Sequence, residues 1–397
     1  MNRLLLFVFS IFLCMAGICA NHPSSLLPLP QKYSFNGKQV NAKMAVEERI
    51  VAQIDGAKFQ EEAYHLLITK KGIILEATTP KGMYWGRQTL EQLKYTKNKK
   101  TWVPQCDITD WPAFRIRGFM HDVGRSYISV EELKREISLL SRYKINVFHW
   151  HLTENQAWRL ECRKYPQLNA PENMEREKGK YYTLDEARQL VEFCKQHQVL
   201  LIPEIDMPGH SAAFERTFKT DMQSEKGTQI LKDIIDEVCA TFDVPYLHIG
   251  TDEVQFTNPD FVPMMVRYIR DKGKKVISYN PGWNYKPGEI DMMQLWSYRG
   301  KAQKGIPAID CRYHYANHFD TYADLVAMFN SRIYNQPEGS DDLAGCVVAF
   351  WNDRFIDNTP QLLAENNFYP YMLTLAERAW RGGGNCYFDG KGTLLWE

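Results

Sequence analysis

From Phe114 onward, short apolar strand-like runs recur, usually followed by a run with helical periodicity, and this recurrence limits the fold more than any other feature of the chain. The eight runs fall at 116–120, 146–152, 199–205, 247–250, 276–279, 292–296, 308–313 and 346–350. Parallel strands joined by crossover helices must be covered on both faces. Eight such units in about 285 residues fit a (β/α)8 TIM barrel better than an open sheet. In the first connection Val130, Leu133, Ile137 and Leu140 share one helical face, and Ser129 with Glu132 has the spacing of a capping box. Thr183 and Glu186 repeat the device before Ala187, Leu190, Val191 and Cys194. The connection after the sixth run, 298–305, is short for a helix.

Ahead of the barrel, residues 22–111 alternate apolar runs (63–68, 73–77) with a helical stretch at 82–93, which predicts a small α/β domain. Thr69-Lys70-Lys71-Gly72 between the runs predicts a hairpin, and Asp110-Trp111-Pro112 marks the boundary to a barrel spanning 113–397. Met1-Asn2-Arg3, an apolar stretch to Cys19 and small residues near Ala20 read as a secretory signal peptide over 1–20, so the mature chain is expected to be periplasmic or secreted. Lipoprotein processing at Cys14 or Cys19 is disfavoured by the residues preceding them, and no later run reaches the roughly 20 apolar residues of a membrane span. Lys+Arg and Asp+Glu both total 48, leaving no net field to recruit nucleic acid or an anionic membrane. The seven cysteines beyond the leader are scattered without CxxC spacing and read as small core residues rather than disulfides or a zinc site.

Barrel enzymes carry their chemistry just beyond the strand ends. Those positions hold Asp122 and Arg125, Glu154, Asp206 and His210, Asp252 and Glu253, Trp283, Trp296, Tyr315 with Asn317, and Trp351 with Asp353. Asp252 and Glu253 follow the apolar 246–249 and Gly250. Two adjacent carboxylates in a partly dry cleft cannot both ionise freely, so one keeps its proton to higher pH and can act as a general acid. His149 and His151 share a strand face and could bind a metal, but strands five and six end in Asn280, Trp283, Gln294 and Ser297, so no metal or other cofactor is expected. No phosphate-binding glycine loop is present, and Gly382-Gly383-Gly384 lacks the strand before and the helix after.

RGFMHDVGRSY, HWHLTENQAWRL, PEIDMPGHS, HIGTDEV and LAERAW resemble, in order and spacing, the motifs of glycoside hydrolase family 20, the β-N-acetylhexosaminidases. LPLPQKYSF and GMYWGRQTLEQL resemble that family's non-catalytic N-terminal domain. The resemblance implies a (β/α)8 barrel and a retaining hydrolysis in which the substrate's own 2-acetamido oxygen is the nucleophile. It implies that Glu253 is the general acid and then the base, and that Asp252 orients and polarises the acetamido N–H. Tyr315 would bond the acetamido carbonyl, Trp283, Trp296 and Trp351 would wall the pocket, and Arg125 would hold sugar hydroxyls. His210 with Asp206 would support the acid. A terminal N-acetylhexosamine on a glycan is the implied partner, removed by exo-action.

The chain departs from the family pattern at Glu154-Asn155 in place of Asp-Asp, at Thr251 in Gly-Gly-Asp-Glu, at Asn317 in place of an acid, and at Asp353 in place of a glutamate. A neutral Asn317 and a shorter Asp353 imply room for a modified sugar, with a 6-sulfate as the candidate. The alternatives are a secreted glycan-binding barrel without turnover and a glycosidase with its own nucleophile. GlcNAc against GalNAc, linkage and oligomeric state are not legible in the sequence.

Overall fold

The computed structural model describes residues 26–312, 315–317, 325–355, 358–365 and 367–384. The expected leader over 1–20 lies outside them, as does Cys386. The chain divides into two compact units, Met1–Ala113 and Phe114–Glu397.

In the first unit, β1 (Lys32–Asn41), β2 (Val46–Ile50), β3 (Tyr64–Thr69), β4 (Gly72–Ala77) and β6 (Lys100–Asp110) form a sheet of order β1-β6-β3-β4-β2, with β5 (Tyr95–Lys97) on β6. Thr69 pairs with Gly72, so the polar turn joins an antiparallel hairpin. Tyr64, Leu66 and Ile68 alternate inward with Ile73, Leu75 and Ala77, the period of two that buries one face of a sheet. Helix α1 (Pro80–Leu93) contacts β3 and β4, its first turn capped by the Thr79 hydroxyl, which accepts from the Gly82 N–H.

The second unit is a closed parallel barrel. Its walls are β7 (Ile116–Asp122), β8 (Val147–His151), β9 (Leu200–Glu204), β10 (Tyr246–His248), β11 (Lys275–Asn280), β12 (Met292–Leu295), β13 (Ala308–Asp310) with β14 (Tyr315–Asn317), and β15 (Leu343–Trp351). β15 closes the ring by pairing with β7 on one side and with both β13 and β14 on the other. The seventh wall is thus in two pieces. The upper piece, β14, sets Tyr315 level with Ala349 and Asn317 level with Trp351 at the mouth. Below the mouth Met120, Ile202, Ile277, Ile309 and Ala349 form one buried cluster.

Helices α2 (Val130–Arg142), α3 (Leu184–Gln196), α4 (Ala212–Phe218), α5 (Glu225–Thr241) and α6 (Phe261–Asp271) follow the first four strands; α7 (Leu325–Asn330), α8 (Thr359–Glu365) and α9 (Phe368–Arg381) lie in the last third. Residues Val130, Leu133, Ile137 and Leu140 are all buried, as the spacing predicts. The capping box is complete at Thr183. At Ser129 the hydroxyl accepts from the Glu132 N–H, while the Glu132 carboxylate pairs instead with Arg135 at 3.1 Å. Neither 281–291 nor 296–307 contains a helix, so the expected alternation fails after strands five and six. Those connections are loops at the mouth, anchored by Tyr285, whose buried hydroxyl bonds Ser278 at 2.9 Å, and by Lys301 N–H on Asn280 Oδ1 at 3.1 Å.

Gly345 sits at the closing seam, paired with both Ile309 and Ile116. A Cβ there would lie 1.8 Å from the Ile116 carbonyl oxygen, a backbone atom that cannot yield without parting β7 from β15. Gly345→Ala is therefore expected to cost at least about 3 kcal/mol, seen as a thermal midpoint lowered by several degrees or as loss of soluble protein.

Candidate active site

The acid pair is delivered by a turn that only glycine permits. After β10, Gly250 has φ +64°, and a Cβ on it would lie 1.7 Å from Asp206 Oδ1. Thr251 (φ +82°) and Glu253 (φ +49°) are also left-handed, as is His210 (φ +48°) on the facing loop. Such conformations cost non-glycine residues roughly 1–3 kcal/mol each and persist where surrounding contacts enforce them. Here the Thr251 hydroxyl is 2.6 Å from Ser278 Oγ and the Thr251 N–H reaches Asp206 Oδ1 at 3.4 Å.

This turn sends the two carboxylates to different environments. Asp252 is 6% exposed, and its Oδ1 is buried with no hydrogen-bond partner among the described residues. The side chain of Glu253 is 56% exposed, with Oε2 at 3.6 Å from His210 Nε2. Burial lifts the Asp252 carboxyl to about 7, against the pull of His210 and with the help of the nearby Glu204 and Glu253 charges. The raised proton affinity expected of the pair thus falls on Asp252.

His210 links Glu253 to a charge network. Its Nδ1 is 2.9 Å from Glu154 Oε1, an oxygen that also lies 2.5 Å from Arg125 Nη2. Burial opposes the imidazolium, but the Glu154 contact and the neighbouring acids outweigh it and raise His210 to about 10. Burial would likewise raise Glu154, yet His151, His210 and Arg125 hold it well below the carboxylate range. Arg125 is engaged on each nitrogen: Nη1 with Asp122 at 2.8 Å, Nη2 with Glu154, and Nε at 3.6 Å from Asp353. It therefore organises three carboxylates at the mouth. The backbone oxygens of Asn352 and Asp353 are held by Arg176 at 3.0 and 2.6 Å.

Because its folded value is raised, the protonated His210 contributes stability that is fully present below about 6.5 and lost as pH rises through about 10. Glu154→Gln removes the main partner and should destabilise the fold most below about pH 6.5, with the loss shrinking as pH rises toward 10. Thermal midpoints taken between pH 6 and pH 10.5 check this, and a deficit that grows toward pH 10.5 would contradict it.

The aromatic residues form an arc. Tyr315 stacks on Trp351 with centroids 6.3 Å apart, Trp351 meets His151 edge-on at 5.1 Å, and Arg125 lies over Trp351 at 5.3 Å. Trp296 donates from Nε1 to the Pro281 carbonyl at 2.6 Å. Tyr315 gives its hydroxyl proton to the Trp296 carbonyl at 2.7 Å, so it meets a ligand oxygen only by releasing that bond. Trp283 stands further out, edge-on to Phe256 at 4.9 Å. Beyond Glu253 a cleft of about 600 Å³ runs between Val254, Phe256, Pro281, Trp296 and Arg299. The Asn317 backbone pairs with Trp351, and its side chain lies outside the described residues.

Sequence reasoning missed Glu204 and His248, although both lie in quoted motifs. Alternation on adjacent strands was the available signal, because it turns His149, His151, Glu204 and His248 to the same side of the sheet, with His151, Glu204 and His248 in register. The metal reading of His149 and His151 meets a specific obstacle: both rings contact Glu204 Oε2 at 2.7 Å. Of the two contacts only that of His151 Nδ1 has hydrogen-bond geometry, and it is shorter than the roughly 3.3 Å expected between ligand atoms that share an ion at about 2.0–2.1 Å. His149, Glu204 and His248 nonetheless bring three potential ligand atoms within 4.8 Å of one another.

Residues 114–223 match the family described as glycosyl hydrolase family 20, catalytic domain, and residues 24–111 match glycosyl hydrolase family 20, domain 2. The chain is 34% identical over 249 residues to a beta-hexosaminidase of Porphyromonas gingivalis, covering 54% of this chain and 32% of that protein. It is 35% identical over 230 residues to a beta-hexosaminidase of Vibrio furnissii, covering 49% and 38%. The chain thus spans only about a third of the length of these relatives. The structure superposes on a beta-N-acetylhexosaminidase of Bacteroides fragilis with TM-score 0.78 at 24% identity, covering 91% of each chain. On a Vibrio harveyi exo beta-N-acetylglucosaminidase in complex with N-acetylglucosamine the TM-score is 0.79 at 22% identity, covering 94% of this chain and 75% of that one.

Proposed function

The chain belongs to glycosyl hydrolase family 20, and on that premise we propose that it removes terminal β-linked N-acetylhexosamine, GlcNAc or GalNAc, from glycans with retention of configuration. One observation carries the reading. The buried Asp252 presents an oxygen that has no hydrogen-bond partner among the described residues, next to a Glu253 that is exposed and backed by His210. The acetamido N–H of a sugar in the barrel mouth satisfies that oxygen. Its carbonyl oxygen then attacks the anomeric carbon while Glu253 gives its proton to the departing glycosidic oxygen. Glu253 next takes a proton from the water that opens the cyclic intermediate, which returns the acetamido group unchanged. Tyr315 donates to the acetamido oxygen, and Trp296 and Trp351 exclude water from the methyl group. A binding protein without turnover has no use for a strained, solvent-facing Glu253.

The test is release of nitrophenol from 4-nitrophenyl N-acetyl-β-glucosaminide and from the β-glucoside. Cleavage of only the acetamido sugar supports the reading, whereas cleavage of both rejects the substrate's own nucleophile. For substrate class we propose a 6-sulfated N-acetylglucosamine, on the neutral Asn317 and on Asp353, whose side chain is 40% exposed and 3.6 Å from Arg125. Equal or faster turnover of the unmodified sugar would count against the sulfate. We also propose export, on the leader-like residues 1–20; recovery of the chain in the cytoplasmic fraction would oppose it. Among the described residues no helix is long and apolar enough to cross a membrane.

A further inference from the structure

We propose that Glu204 and His151 are positioning residues: a buried ion pair beneath the mouth that fixes the placement and charge of the acids around Asp252. The inference rests on the hydrolase reading above.

Four adjacent strands each turn polar side chains into the bore at one level. Glu204 Oε2, from the end of β9, meets His149 Nε2 and His151 Nδ1 at 2.7 Å and the Tyr279 hydroxyl at 3.2 Å, while its Oε1 lies 3.2 Å from His248 Nδ1. All five residues are at most 1% exposed. Filling a bore needs only apolar side chains, and replacing buried ion pairs by them is often neutral or stabilising, so packing alone gives this layer no purpose. Burial keeps His149 down at about 4, whereas Glu204 and Glu154 hold the His151 proton far above the usual range despite burial. The His151 imidazolium therefore faces the Glu204 carboxylate.

Two routes lead up from this pair. His151 Nε2 is 3.7 Å from Glu154 Oε1, the oxygen that holds His210, which in turn faces Glu253. On the other side, side-chain atoms of His151, Glu204 and Asp206 lie within 4.8 Å of one another, and the same holds for Asp206, His210 and Asp252. Glu204 is faced by the three histidines and Tyr279, with Asp206 and Asp252 above. His151 is faced by Glu204, Glu154 and Asp122. Burial and the charges of Asp252 and Glu204 keep the Asp206 proton on, while His210 and His151 oppose them. Removing the Glu204 charge therefore eases ionisation above it, and removing the His151 charge hinders it. The two partners act with opposite sign.

The experiment measures kcat/KM against pH for 4-nitrophenyl N-acetyl-β-glucosaminide, together with the pH dependence of the thermal midpoint, in wild type, Glu204→Gln, His151→Gln and Glu204→Asp. The acidic limb is expected to move down by about one pH unit in Glu204→Gln and up by about one in His151→Gln. Glu204→Asp should keep the limb in place and lower kcat alone. Shifts of the same sign in the two charge-removing variants, or an unmoved limb with a lowered midpoint only, overturn the proposal. Should wild type not cleave the substrate, the hydrolase reading fails separately, and the opposed shifts are read in the midpoint profile, which needs no turnover. A variant that does not fold leaves the sign of its partner to decide.

Discussion

Glu253→Gln should lower kcat on 4-nitrophenyl N-acetyl-β-glucosaminide by about 10²–10³ and leave KM within a few-fold. In the proposed reaction the carboxyl meets only the departing oxygen and later the water, and its side chain is 56% exposed with His210 at 3.6 Å. Glutamine keeps the shape and cannot give up a proton. The size of the loss depends on the leaving group. Nitrophenolate departs without much help, whereas the alkoxide of a sugar must be protonated, so a GlcNAc-terminated disaccharide should lose about 10⁴. Assaying both substrates with the same preparation checks the assignment. Equal losses on the two would move the acid to another residue.

Asp252→Asn is expected to act on activity and stability in opposite directions. In the proposed reaction the carboxylate accepts the acetamido N–H, and an amide offers a donor in its place, so kcat should fall by about 10³. The folded chain, however, holds the Asp252 proton up to about 7 against 3.8 for the unfolded group. That raised value contributes stability below about 3.8 and is lost as pH rises through about 7, because the folded site must then bury a charge. Asparagine carries no such charge. The variant's thermal midpoint should therefore exceed wild type by about 4–8 °C at pH 8, with the difference narrowing steadily as pH falls toward 3.8. Paired activity and unfolding measurements test both halves, and a midpoint lowered at pH 8 would mean that Asp252 ionises in the fold without penalty.

The two results bear on how the reaction is divided between adjacent residues. Glu253 is the exposed, wet partner and Asp252 the buried, dry one, separated by the left-handed turn at 250–253 rather than by distance along the chain. The same ionisation predicts an acidic limb near pH 7 in the pH dependence of kcat/KM, since in the proposed reaction an Asp252 still carrying its proton cannot accept the acetamido N–H.

Much of this architecture is local and could be read from residue order. The eight strand runs match the eight barrel walls, the Thr69–Gly72 turn is a hairpin, and the caps at Ser129 and Thr183 start the helices expected there. The loops replacing helices after β11 and β12 were less legible, because those connections are held by tertiary contacts such as Tyr285 on Ser278. Arg125 shows the same limit at the site. Residue type announces a donor fork, while only the fold reveals that Asp122, Glu154 and Asp353 already surround it.

By itself the sequence determined the barrel, the mouth residues and the adjacent acid pair, because periodicity, glycine placement and motif spacing act over a few neighbouring residues. Tertiary structure alone decided which carboxylate keeps its proton, which histidine carries charge and which oxygen is left without a partner. Those properties are sums over burial and over charges brought from β7, β8, β9 and β10, groups up to 130 positions apart in the chain.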